Sequence, residues 1–248
     1  MPNPPRRTKT PHAAVEAIEP TAPIREPRGA RRKRETRMRL MEAALKLMAD
    51  KGMEGVAINE ITEAADVGFG SFYNHFESKE AIHLALLDWV FEEFADTLDR
   101  ITAELTDPAE VISVSIRHAL MRARREPVWG HFLIREGLSA RGLSRGLGPR
   151  LLRDIQKGIG AGRFAADDPL MSVVTIGGAV LTSIAVELRD GASSTPLTDM
   201  LKAFGYAEDQ FAERAAAAML RTLGLSRAEA VEIANRLLPV DERAIESE

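Results

Sequence analysis

An all-α chain of about ten helices is what the sequence predicts, and three observations predict it. Apolar residues recur at helical spacing along nearly all of its 248 residues, the signature of amphipathic helices. No run alternates β-branched and polar residues as a strand does. Breakers at Asp107-Pro108, Glu126-Pro127, Gly160-Ala161-Gly162 and the loop from Gly191 to Pro196 divide the stripes into helix-sized pieces.

Residues 1–28 hold many prolines and small residues and read as a disordered, basic tail. No apolar stretch follows their basic residues, so they do not read as a signal peptide. Arg37, Leu40, Met41, Ala44, Leu47 and Met48 make the first helical stripe, closed by Gly52. Ile58, Ile61 and Ala65 make a second, short one, and a third helix begins near Phe69. Ser78 caps a long helix with Glu80 in its first turn. Its stripe runs through Leu86, Val90, Phe94, Leu98 and Ile101. Further helices are expected near 108–125, 128–139, 145–161, 168–189, 208–223 and 227–237. The expected division is a three-helix unit over 29–78, a helical unit over 79–240 and a flexible tail over 241–248.

The longest charge-free apolar segment, LMSVVTIGGAVLTSIAV from Leu170 to Val186, is at the lower limit for spanning a bilayer. Acidic neighbours and the absence of a basic flank make it a buried helix rather than a membrane anchor. The chain has no cysteine. That excludes disulfides, thiol catalysis and cysteine-ligated zinc, and suits a cytoplasmic protein.

The net charge of −4 conceals an asymmetry: Met1 to Arg39 holds eleven Lys/Arg against four Asp/Glu, so the remainder carries −11. The basic residues cluster in ARRKRETRMR, Ala30 to Arg39. Such a run is either a solvated face or an arm that neutralises phosphates.

The stretch DVGFGSFYNHFESKE, Asp66 to Glu80, gathers Phe69, Phe72, Tyr73 and Phe76 in a chain with 5% aromatic residues. It is no dinucleotide cradle, since Gly68-Phe69-Gly70 lacks a third glycine and a preceding strand. Val67, Phe72 and Phe76 share one side of a helix, leaving Gly70, Tyr73 and Asn74 on the other. Two short helices joined by a tight turn describe a helix-turn-helix. Asp66 stands where the turn needs φ > 0, a region that Asp visits readily. Gly68 is an acceptable cap.

At these residues the sequence resembles the TetR/AcrR family of bacterial transcriptional regulators. The resemblance runs from Leu40 to about Leu87 and rests on INEITEAADVGFGSFYNHFESKEAI at fixed spacing. Beyond it only the helical layout and IGAGRF, Ile159 to Phe164, look familiar. The resemblance implies a DNA-binding head and a helical effector-binding and dimerisation domain, in a regulator most often acting as a repressor. It implies that Gly70, Ser71, Tyr73, Asn74 and His75 face DNA, that Lys79 reaches a phosphate, and that Asn59 reaches a base edge. Phe69, a candidate DNA contact, stands where the family commonly has a polar residue and either touches a thymine methyl or packs on the protein. Val56 and Ala57 stand where the family usually has a threonine cap and phosphate contact. Arg31, Arg32, Lys33 and Arg34 would add phosphate or minor-groove contacts.

A dimer is expected, so that two heads sit about one DNA turn apart. Gly177, Gly178 and Ala179, with Ala215, Ala216 and Ala218, are the small residues proposed for its interface. Trp89, Phe94, His118, Arg122, Trp129, His131, Phe132, Arg135 and Met171 are the candidate effector pocket. His118 and His131 lack the partners of a metal site, and no nucleophile elbow occurs. No catalytic residue, metal or cofactor is expected. The expected partners are operator duplex, a small-molecule effector and a second copy, with no membrane.

Overall fold

The structure, a computed structural model, describes residues 27–188, 200, 203 and 210–239. Among them every regular element is helical. The N-terminal unit comprises α1 (Arg28–Lys51), α2 (Ile58–Ala64) and α3 (Phe69–Tyr73). Then α4 (Lys79–Leu87) passes through a π-helical turn (Asp88–Glu92) into α5 (Glu93–Ile101), making one long rod. The C-terminal unit continues with α6 (Pro108–Arg125), α7 (Pro127–Gly137), the short α8 (Ala140–Leu143) and α9 (Leu147–Gly160). It closes with α10 (Pro169–Glu187), α11 (Phe211–Thr222) and α12 (Arg227–Ala234).

The helix starts follow from local chemistry. Ser78 Oγ accepts from the Ala81 N–H at 3.2 Å, and Asp107 Oδ1 accepts from the Ala109 N–H at 2.9 Å with Pro108 at the first helical position. Asp168 accepts from the Met171 N–H at 3.0 Å to start α10. Each side chain satisfies an amide that the helix itself leaves open. Ala57, before α2, has no capping side chain; instead Glu60 reaches back and accepts the Ala57 N–H at 2.8 Å.

One apolar core runs from Leu40 in α1 to Ile233 in α12. The central helix is α6, against which α7, α9, α10, α11 and α12 all pack. Buried Arg117 ties it to the C-terminal helices, donating to Glu213 at 2.9 Å and to the Arg236 carbonyl at 2.7 Å. The basic cluster before Leu40 is helical, not an extended arm: Ala30 to Arg39 are the first turns of α1.

The expectation of a buried helix over Leu170–Val186 needs correction. Ile176 and Ile184 are buried in α10, but Leu170, Met171 and Val174 are each more than half exposed. By length and composition α10 could cross a membrane. Its inner face nevertheless packs on α6, α7 and α9.

Candidate nucleic-acid interface and ligand cavity

α2 and α3 are set at an angle by the turn Ala65–Gly68, in which Asp66 holds φ 50°. Arg39 fixes that turn from α1, donating to the Asp66 carbonyl at 2.9 Å and to its carboxylate at 3.1 Å. Arg37 lies 4.2 Å over the Phe76 ring and donates to the His75 carbonyl at 3.2 Å. The basic cluster therefore splits in two. Arg37 and Arg39 hold the head together, while Arg31, Arg32, Lys33 and Arg34 stand exposed on the first two turns.

Phe72 is fully buried and anchors α3 inward, with Phe76 beside it at 5.8 Å between ring centroids. On the outer side, Phe69 and Tyr73 are 54% and 52% exposed and meet edge to face at 5.7 Å. Gly70 and Asn74 are exposed beside them, Ser71 and His75 half-buried, and Asn59 is exposed on α2. Burial and the nearby Lys33 and Arg37 hold the His75 imidazole below its ordinary pKa, so it is neutral at physiological pH. Lys79 is half-buried at the first position of α4. A Cβ at Gly68 or Gly70 would meet nothing within 4 Å.

The head is joined to the C-terminal unit by α7. Arg135 donates to the carbonyls of Ala49 at 3.3 Å and Asp50 at 2.8 Å, placing a cation on the C-terminal end of α1. His83 of α4 lies 3.2 Å from the Glu136 carboxylate, both groups largely buried, and edge-on to the fully buried Phe132.

A cavity of about 470 Å³ opens among α5, α6, α7, α9 and α10. Its wall is mostly aliphatic, with Ile112, Leu133, Val173 and Leu181 prominent, and its polar residues include Thr102, Asp99, Arg150 and Asp154. None of the nine residues expected to form a pocket lines it. Phe94 and Trp129 are buried and meet edge to face at 4.9 Å with Arg122 over both rings, because aromatic side chains at helical spacing fill core rather than enclose space. Trp89 packs at the edge of the core and Phe132 lies inside it. His118 is half-buried on α6, also away from the cavity. His131 donates from Nδ1 to the Pro127 carbonyl at 2.8 Å, on the outer side of α7. Arg135 belongs to the α1 junction, and Met171 is exposed on α10.

The small residues proposed for the interface also divide. Ala216 is fully buried inside the protomer, whereas Ala218 is exposed and Ala215 half-buried. Gly177 and Gly178 line the cavity, with Ala179 against the core.

Sequence reasoning missed the groups beside the cavity. Glu92, Asp96 and Asp99 make an acidic stripe down one side of the rod, and Arg150 of α9 is held by all three, with Glu92 at 2.9 Å and Asp99 at 2.8 Å. Arg153 adds bonds to Asp99 at 2.7 Å and Asp154 at 2.8 Å. The acidic spacing of i, i+4 and i+7 was a readable signal. Among the described residues no cluster of three or more His, Asp or Glu side chains could hold a metal.

Two family signatures cover most of the chain. Residues 40–86 match the bacterial regulatory proteins of the tetR family, and residues 107–236 match the tetracyclin repressor-like C-terminal domain. The chain belongs to the TetR family. TetR-family members are transcriptional regulators, not enzymes. Among curated TetR-type relatives, the repressor DhaR of Mycobacterium sp. (strain GP1) is 40% identical over 75 residues, 30% of this chain and 36% of DhaR. The repressor KstR2 of Mycolicibacterium smegmatis is 33% identical over 70 residues, 27% of this chain and 34% of its own. The matched stretch thus spans about a third of these relatives' length. Among solved structures, RolR in complex with resorcinol is 36% identical, covers 85% of this chain and 98% of its own, and superimposes with a TM-score of 0.61. FadR from Bacillus subtilis with stearoyl-CoA, at 15% identity and TM-score 0.58 over 75% of this chain and 98% of its own, shares the TetR fold.

Proposed function

We propose that this protein is a cytoplasmic, dimeric repressor whose outer α3 face reads a pseudo-palindromic operator and which a small molecule in the cavity releases. The observation that carries the DNA-binding half is Gly70. A glycine in a helix costs about 1 kcal/mol relative to alanine, yet Gly70 has helical backbone and open space where a Cβ would sit. Nothing inside the protomer requires it, which points to a surface approaching from outside. Phe69, Ser71, Tyr73, Asn74 and His75 flank it as groove-facing groups, with Asn59 at a base edge. Lys79 and the exposed Arg31, Arg32, Lys33 and Arg34 serve as phosphate contacts, the last four from a helix.

The cavity supports the effector half, and RolR's resorcinol supports a small aromatic effector. A ligand releases DNA only if it favours the non-binding arrangement. The route for that preference is short: the cavity touches the rod, and the rod carries His83 and α4 to the head. For the dimer, the exposed Leu170, Met171 and Val174 of α10 make an apolar face that a second copy would cover, with Gly177, Gly178, Ala179, Ala215 and Ala218 nearby on α10 and α11.

Selection of bound sequences from a random duplex pool at physiological salt tests the whole reading. An enriched palindrome with half-sites about one turn apart is expected, together with loss of binding on adding resorcinol or a related phenol. A flat pool with salt-sensitive binding would instead mark a protein that coats DNA without reading it. Val174→Glu places a charge in the proposed interface; sedimentation should then show a folded monomer at concentrations where the parent is a dimer, and an unchanged dimer would move the interface elsewhere.

A further inference from the structure

The charges beside the cavity restrict what it admits, given the effector reading above. Three charged side chains line it among the described residues: Asp99, Asp154 and Arg150. Four of the five N–H donors of Arg150 are engaged, and three carboxylates match its charge. Its Nε is taken by Asp99, its Nη1 by Glu92 at 2.9 Å and the Gly146 carbonyl at 3.2 Å, and its Nη2 by Asp96. Arg153 behind it is divided between Asp99 and Asp154, and Lys157 lies 3.8 Å from Asp154. The polar end therefore sets four carboxylates against three cations.

Asp99 and Glu92 are ionised in place. Burial pushes Asp99 up, but bonds from Arg153 and Arg150 outweigh it and hold its pKa below the ordinary carboxylate range. Arg150 likewise holds Glu92 down. An ionised carboxylate accepts hydrogen bonds and donates none. Thr102 leans the same way, its hydroxyl hydrogen committed to the Leu98 carbonyl at 2.8 Å. What faces the cavity at its polar end is thus mainly acceptor lone pairs and negative charge, and the remaining wall is apolar apart from the Ser115 hydroxyl.

We infer that this cavity selects uncharged ligands that donate hydrogen bonds from hydroxyl groups on an apolar body, and that it rejects carboxylates and phosphates of the same shape. An anion would enter a partly desolvated site with a net negative surround and, among the described residues, no free cation, an unfavourable placement for any unpaired charge. A phenolic or alcoholic hydroxyl meets the opposite situation, since a bond to a carboxylate is among the stronger hydrogen bonds.

Calorimetric titration of the full-length protein with matched probe pairs tests this: resorcinol against 3-hydroxybenzoate, 2-naphthol against 2-naphthoate, and 1-decanol against decanoate. The neutral member of each binding pair should be at least tenfold tighter. In Asp99→Asn, which loosens the hold on Arg150 and Arg153, the anionic members should gain roughly tenfold; Asp154→Asn provides a second variant if the first unfolds by circular dichroism. Tighter binding of any anion than of its neutral mate by the parent protein would overturn the selectivity while leaving the effector reading intact. Binding of no probe at all would remove the effector reading and this inference together.

Discussion

Tyr73→Ala should lose operator affinity while its neighbour Phe72→Ala should lose the head itself. Tyr73 is half exposed and meets Phe69 and Phe72 edge to face, so its removal costs about 1 kcal/mol of stability. A base-edge or methyl contact is worth about 1–3 kcal/mol, roughly 5- to 150-fold per head. Phe72 is fully buried in the core, on the helix that packs against α2. Truncating such a phenylalanine costs about 3–5 kcal/mol, enough to melt a small helical unit. Fluorescence anisotropy with the selected duplex, alongside circular dichroism melting, separates the two. A Tyr73→Ala variant that binds as tightly as the parent would displace the reading face from α3.

Phe132→Ala should have the largest effect on the body of the protein. Its ring is fully buried at the place where α7 meets α4, next to His83 and one turn from Arg135 and Glu136. The expected loss is about 3–5 kcal/mol, lowering the melting temperature by about 10 °C in a chain of this size. Leu138→Ala, one turn further and 69% exposed, should move it by no more than about 2 °C. Equal shifts in the two variants would mean that the α4–α7 junction contributes nothing special to the fold.

The helical layout was legible because it is written locally. Ser78, Asp107 and Asp168 each stand at the position where a side-chain oxygen closes the first turn, and Asp66 marks its own left-handed turn. The placement of the large aromatic residues was not legible. Trp129 and Phe94 have the composition of a pocket and the position of a core, and sequence spacing does not distinguish the two. The cavity itself is lined by leucines, valines and glycines that read as ordinary packing. A void is a property of how helices fail to meet, set by long-range geometry that no local pattern records. The basic cluster shows the same limit: Arg37 and Arg39 differ from Arg32 only in which neighbours the fold brings to them.

The π-helical turn at Asp88–Glu92 carries a consequence for the evolution and engineering of this chain. A π-turn holds one residue more than the α-helical turn it replaces, while each residue of an α-helix turns the faces by about 100°. Deleting a residue elsewhere in the rod would swing His83 and the acidic stripe out of phase with each other. Deleting one within Asp88–Glu92 would be absorbed as ordinary α-helix, leaving both flanking faces aimed as before. The segment behaves as an inserted residue that the helix has learned to accommodate, and length variation among descendants of this protein should collect there.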